Sequence, residues 1–68
     1  MLHKILKLSE VIDVTGLSRS TIYHRMKNGD FPCSIPLGER SVGWSEEEIR
    51  LWIESRIAQR SGSWVRRT

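Results

Sequence analysis

Apolar positions along this chain fall into short groups separated by breaks that contain glycine, serine or proline. The first group, Ile5, Leu6 and Leu8, is too brief for a period to show, and it suits a small strand or an extended arm packed on the core. Ser9 then offers a helix N-cap, Glu10 sits in the first turn, and Val11, Ile12 and Val14 supply an apolar face that ends at Gly16. Because that helix is rich in β-branched residues, it depends on packing rather than on its own propensity.

Ser18 caps a second helix. With Ile22 at the centre of its buried face, Met26 lies one turn on and Ser18 one turn back. Gly29–Asp30–Phe31–Pro32 stops this helix, a glycine at its end and a proline shortly after, with Phe31 folding back into the core. From Ser34 to Trp44 the pattern becomes two short strands, Ile35 alternating with Leu37 and Val42 with Trp44, around a tip at Gly38–Ser41. Pro36 confines its strand to a sheet edge. Ser45–Glu46–Glu47–Glu48 is a capping-box start, and Ile49, Trp52, Ile53 and Ile57 make the stripe of a last helix predicted to run through Arg60. Ser61–Gly62–Ser63 ends it ahead of the basic segment Trp64–Thr68.

Two helices joined by the turn Thr15–Gly16–Leu17–Ser18, followed by a hairpin and a further helix, predict a winged helix-turn-helix. The expected fold is mainly α with a small β-hairpin, a single domain over residues 1–60 with a basic C-terminal tail over residues 61–68. At 68 residues the chain has room for one small core, and 38% hydrophobic with 28% charged residues argues against disorder. No apolar run approaches the roughly 20 residues of a membrane span, and no signal-peptide pattern opens the chain. The lone Cys33 has neither a disulfide partner nor companion metal ligands, which fits a reducing cytoplasm.

Charge placement gives the second helix its meaning. Residues 1–30 carry Lys4, Lys7, Arg19, Arg25 and Lys27 against Glu10, Asp13 and Asp30, net +2; residues 31–60 are net −1, and Arg66 and Arg67 return +2. At about 100° per residue, Ser20, Thr21, His24, Lys27 and Asn28 fall opposite Ile22, with Arg19, Tyr23 and Arg25 on the flanks. No acid occurs between Ser18 and Asn28, and these residue types donate to phosphates and base edges. A merely solvated face has a similar polar composition; the glycine–serine turn and the missing acid favour double-stranded DNA. Ser20, Thr21 and His24 are expected at base edges and Arg19, Tyr23, Arg25 and Lys27 mainly at phosphates, with Ser18 and Asn28 at the two ends of the same face. Arg40 and Ser41, at the hairpin tip, are expected at the phosphate backbone or in the minor groove, the alternative being a plain connecting hairpin.

Catalytic and metal signatures are missing. His3 and His24 have no ligand spacing with Cys33 or a carboxylate, and there is no glycine-rich phosphate loop. Three consecutive glutamates do not converge on one helix face, so Glu46–Glu48 read as capping charge. Trp44 and Trp52 read as core. Neither an enzyme nor a cofactor or metal is expected.

The motifs Leu8–Ser9–Glu10–Val11, Thr15–Gly16–Leu17–Ser18–Arg19–Ser20–Thr21–Ile22–Tyr23, Lys27–Asn28–Gly29–Asp30–Phe31–Pro32, and Gly43–Trp44 with the Glu-rich helix to Trp52 resemble the AlpA family of phage and prophage transcriptional regulators. That family is similar in turn to small phage excisionases, and the resemblance covers roughly residues 4–60. It implies a MerR-like winged helix-turn-helix fold, sequence-specific DNA binding, activation of phage or genomic-island genes, and by analogy DNA bending at attachment sites. It carries Arg19, Ser20, Thr21 and Tyr23 over as the start of the recognition helix. His24 stands where relatives commonly have arginine, which implies a weaker or pH-dependent contact there.

One departure concerns helix-turn-helix proteins in general: Ile12 occupies the usual small position four residues before the glycine, and Arg25 stands where a further apolar residue is common. This favours the winged variant over a simple repressor-like dimer. A domain this small offers few phosphate contacts, so self-association on tandem sites is expected. The competing reading is a protein-binding module that docks on a response regulator, integrase or RNA polymerase without touching DNA; an RNA-binding domain is a third. The proteins of the leading reading belong in the cytoplasm, at the nucleoid.

Overall fold

The computed structural model describes residues 3–60, so the expected basic tail lies outside the described residues. The elements run β1 (Ile5–Leu6), α1 (Leu8–Thr15), α2 (Arg19–Lys27), β2 (Ile35–Pro36), β3 (Val42–Ser45) and α3 (Glu46–Ala58). The strands form one antiparallel sheet in the order β1-β3-β2. Ile5 pairs with Ser45 and Leu6 with Trp44, while on the other side Ile35 pairs with Gly43 and Pro36 with Val42. The strand reading of the first segment therefore holds, and Pro36 occupies an edge, where its missing N–H costs no ladder bond.

The core comprises Leu6, Val11, Ile22, Phe31, Trp44 and Ile49, one residue each from β1, α1, α2, the loop after α2, β3 and α3, with Leu8, Ile12, Leu17, Met26, Trp52 and Ile53 packed round it. β3 is the central strand, and its Trp44 is fully buried in this core. Its indole N–H donates to the Pro32 carbonyl at 3.1 Å, which satisfies the one polar atom the ring carries inward. Gly43 precedes it for a steric reason. A Cβ there would collide with the Ile5 side chain and lie 3.1 Å from both the Leu37 side chain and the Leu6 carbonyl oxygen.

Helix ends follow local chemistry, with two exceptions. Gly16 closes α1 at φ 74°, and its N–H donates to Ile12 O at 2.8 Å. Thr15 Oγ1 donates to Val11 O at 2.7 Å and accepts Leu17 N–H at 3.2 Å, so the turn is tied to the helix before it. Gly29, at φ 71°, ends α2: Gly29 N–H donates to Met26 O and Asp30 N–H to Arg25 O, the paired bonds of a Schellman motif. Ser45 accepts Glu48 N–H at 3.3 Å as the cap of α3. The first exception is that the N-cap of α1 is Lys7, not Ser9. The chain leaves β1 extended, turns at Lys7, and Glu10 reaches back to accept Lys7 N–H at 2.8 Å. The second is that α3 ends at Ala58 rather than Arg60, where Gln59 and Arg60 donate to carbonyls three residues back and tighten the last turn.

Four residues expected on apolar faces are exposed: Val14, Leu37, Val42 and Ile57. In α1 the covered side runs through Leu8, Val11, Ile12 and Thr15, leaving Val14 about 100° off its centre. Leu37 and Val42 lie at the outer end of the hairpin, and Ile57 in the last turn of α3, beyond the reach of a six-residue core.

Candidate nucleic-acid interface

The reading helix is α2. Ser18 holds its start by accepting Thr21 N–H at 3.2 Å, and the same hydroxyl donates to Thr21 Oγ1 at 2.9 Å and lies 3.4 Å from Ser20 Oγ. Ser18, Ser20 and Thr21 thus form one hydroxyl cluster at the helix N-terminus, with Thr21 half-buried and the two serines exposed. One face of α2 is anchored by Ile22, which is fully buried. His24, Lys27 and Asn28 are exposed, and Asn28 Nδ2 lies 3.1 Å from His24 Nε2, one turn apart.

On one flank Tyr23 bridges core and surface. Its ring stands edge-on to Trp44 with centroids 6.3 Å apart, and the Arg19 guanidinium lies 5.9 Å from the Tyr23 centroid. α2 and the hairpin are therefore joined through Tyr23 and Trp44. At the hairpin tip Leu37 N–H donates to Ser41 O at 2.7 Å, which leaves the side chains of Arg40 and Ser41 exposed.

Arg25 faces elsewhere. Its guanidinium donates to Asp30 Oδ2 at 2.6 Å and sits 6.0 Å from the Trp52 ring, so this position, expected at a phosphate, is tied to α3. Arg56 joins the same cluster, 3.9 Å from Asp30 Oδ1 and 5.3 Å from the Trp52 centroid. Trp52 donates its N–H to Asp30 O at 3.0 Å and meets Phe31 in a T-shaped contact at 4.8 Å. Sequence reading placed Trp52 in the core and Asp30 at the helix stop, but did not show the link between them and Arg25. Asp30 to Trp52 spans 22 positions, and Arg25 to Asp30 spans five, which is no helical pairing distance.

Ion pairing sorts the cations. Lys4 pairs with Glu46, Arg50 with Glu47 and Glu54, and Arg25 and Arg56 share Asp30. Among the described residues, Lys7, Arg19, Lys27 and Arg40 have no carboxylate partner. Two of these lie on α2 and one on the hairpin tip. No group of three or more histidine, cysteine, aspartate or glutamate side chains gathers as a metal site among the described residues, and none of their helices is long and apolar enough to cross a membrane.

Three helices with a small antiparallel three-stranded sheet, and a capped cationic helix after a glycine turn, define a small domain compatible with a helix-turn-helix and wing. Residues 4–57 match the family described as Prophage CP4-57 regulatory protein (AlpA), and the chain belongs to that family. It is 42% identical to the uncharacterized protein ORF88 of Enterobacteria phage P4, in a match covering 85% of this chain and 66% of the phage protein. It is also 41% identical to the DNA-binding transcriptional activator AlpA of Escherichia coli K12, over 78% of this chain and 84% of that protein. The chain thus spans just under two thirds of the phage relative's length and most of the bacterial one.

Proposed function

We propose that the protein is a sequence-specific double-stranded DNA-binding regulator of phage, prophage or genomic-island transcription. The observation that carries this reading is the sorting of charge: among the described residues, Arg19 and Lys27 of α2 and Arg40 of the hairpin tip lack acidic partners, while Lys4, Arg25, Arg50 and Arg56 have them. Cations left without acidic partners suit a polyanion, and α2 itself carries no carboxylate. The AlpA relative's description as a DNA-binding transcriptional activator supports the same conclusion.

In this reading α2 enters the major groove in a MerR-like or excisionase-like winged arrangement. Ser20, Thr21 and His24 face base edges, Arg19 meets the DNA from the start of the helix with Tyr23 beside it, Lys27 holds the strand at the flank, and Arg40 with Ser41 grips the backbone from the wing. Ser18 serves first as the cap and Asn28 as the partner of His24. Arg25 acts as a brace to α3 rather than as a contact. One reading helix gives few phosphate contacts, so copies assemble on tandem sites, with bending of attachment-site DNA and contact with integrase or RNA polymerase as the excisionase-like extension. Such work places the protein in the cytoplasm, at the nucleoid.

A gel-shift titration across salt tests the reading. Affinity for a selected duplex falls steeply with salt, Lys27→Ala weakens all duplexes alike and flattens the salt slope by about one unit, and Ser20→Ala or Thr21→Ala relaxes sequence preference. Binding to a partner protein that survives loss of Arg19 and Lys27, with no duplex bound, favours the protein-docking module instead.

A further inference from the structure

The geometry points to Arg19 as a reader of guanine, held in place by Tyr23 as a positioning residue, so that the target site contains a G·C pair facing the start of α2. The inference rests on the DNA-binding reading and names what part of the site is read. Arg19 is the first residue of α2, immediately after the Ser18 cap, and the N-terminal residues of a recognition helix are those that approach base edges. Its guanidinium has no carboxylate partner among the described residues and lies 5.9 Å from the Tyr23 centroid, one helical turn on. Tyr23 does not float on the surface. Its ring makes a T-shaped contact with Trp44, the largest fully buried side chain, with centroids 6.3 Å apart.

A line of contacts therefore runs from the core, through Tyr23, to a flat fork of donors at the tip of the reading helix. The planar fork also matches phosphate oxygens, so what favours a base is its place at the N-terminal start of the reading helix. Guanine presents O6 and N7 side by side in the major groove, and a planar guanidinium held in one orientation loses little freedom on meeting them. No other arginine of α2 is available for that task, since Arg25 is committed to Asp30.

The test is selection from a random duplex pool with the full chain, run in parallel on the wild type and three variants. The wild-type chain is expected to enrich a site with a constant G·C pair. Arg19→Lys keeps the charge but not the fork, and is expected to lose roughly tenfold to a hundredfold of the discrimination at that pair while preference at the other positions stays. Tyr23→Phe keeps the ring and preserves the preference. Tyr23→Leu weakens preference at the same pair, with circular dichroism and the melting curve showing that the fold survives. If Tyr23→Leu fails to fold, the Arg19→Lys and Tyr23→Phe arms still decide. Unchanged preference in Arg19→Lys, or loss spread evenly over all positions, overturns guanine reading and makes Arg19 a phosphate contact within an intact DNA-binding function. Failure of the wild-type chain to enrich any sequence overturns both the inference and the function on which it rests.

Discussion

Asp30 accepts a hydrogen bond from Arg25 at 2.6 Å just past the end of α2, and its backbone carbonyl takes the Trp52 N–H from α3. One residue thus fastens the reading helix to the helix behind it. Both ionic side chains are partly solvated, Arg25 at 29% and Asp30 at 51% exposure, so the ion pair contributes modestly, about 0.5–1 kcal/mol. Asp30→Asn is expected to lower stability by about that amount in low salt and by less at high salt, as screening predicts. Urea denaturation at two ionic strengths checks it, and equal losses at both would show that the charge contributes nothing.

Gly43 leaves no room for a side chain between β3 and Ile5 of β1. Gly43→Ala is expected to cost on the order of 1–3 kcal/mol, because its methyl group overlaps the Ile5 side chain inside a packed sheet. Ile5→Ala removes the colliding atoms, so the double variant should lose less than the sum of the two single changes. Additive losses in a denaturation double-mutant cycle would place the strain elsewhere.

Ser18 caps α2 and also stands at the edge of the proposed interface. Ser18→Ala is expected to cost about 1 kcal/mol of stability. Ser18→Asp restores the cap, and its charge suits the helix N-terminus, yet it places a carboxylate against the phosphates. Its melting temperature should return to the wild-type value while duplex affinity falls. Restored affinity alongside restored stability would move Ser18 out of the interface.

Arg40 tests the wing. Exposed at the hairpin tip with no acidic partner among the described residues, it contributes nothing evident to folding. Arg40→Ala should leave the melting curve within about 0.5 kcal/mol of wild type and weaken duplex binding uniformly, with the salt slope reduced by about one unit. Fluorescence-anisotropy titrations at several salt concentrations distinguish this from a bystander hairpin, for which neither quantity moves.

Legibility in the sequence followed the range of the interactions concerned. The turn at Gly16, the caps at Ser18 and Ser45 and the stop at Gly29 each depend on groups within about four residues, and all appear as read. Lys7 displaced Ser9 as a cap because the preceding residues entered a sheet, pairing Leu6 with Trp44 across 38 positions. Within the candidate interface, the residues near Ser18 and the pairing of His24 with Asn28 lie one turn apart, so the helix period placed them on adjoining surfaces. The direction of Arg25 had no such local cause.

The amino-acid sequence by itself determined the helix boundaries at the capped ends, the edge position of Pro36 and an acid-free outer surface on α2, because backbone caps, fixed φ angles and helical periodicity act over neighbouring residues. Only the tertiary structure decided that β1 completes the sheet on β3, that Asp30 ties Arg25 and Trp52 together, that Tyr23 leans on Trp44, and that Val14, Leu37, Val42 and Ile57 remain uncovered. Each of these depends on which distant segments a small core brings into contact, and that choice has no period for a sequence pattern to display.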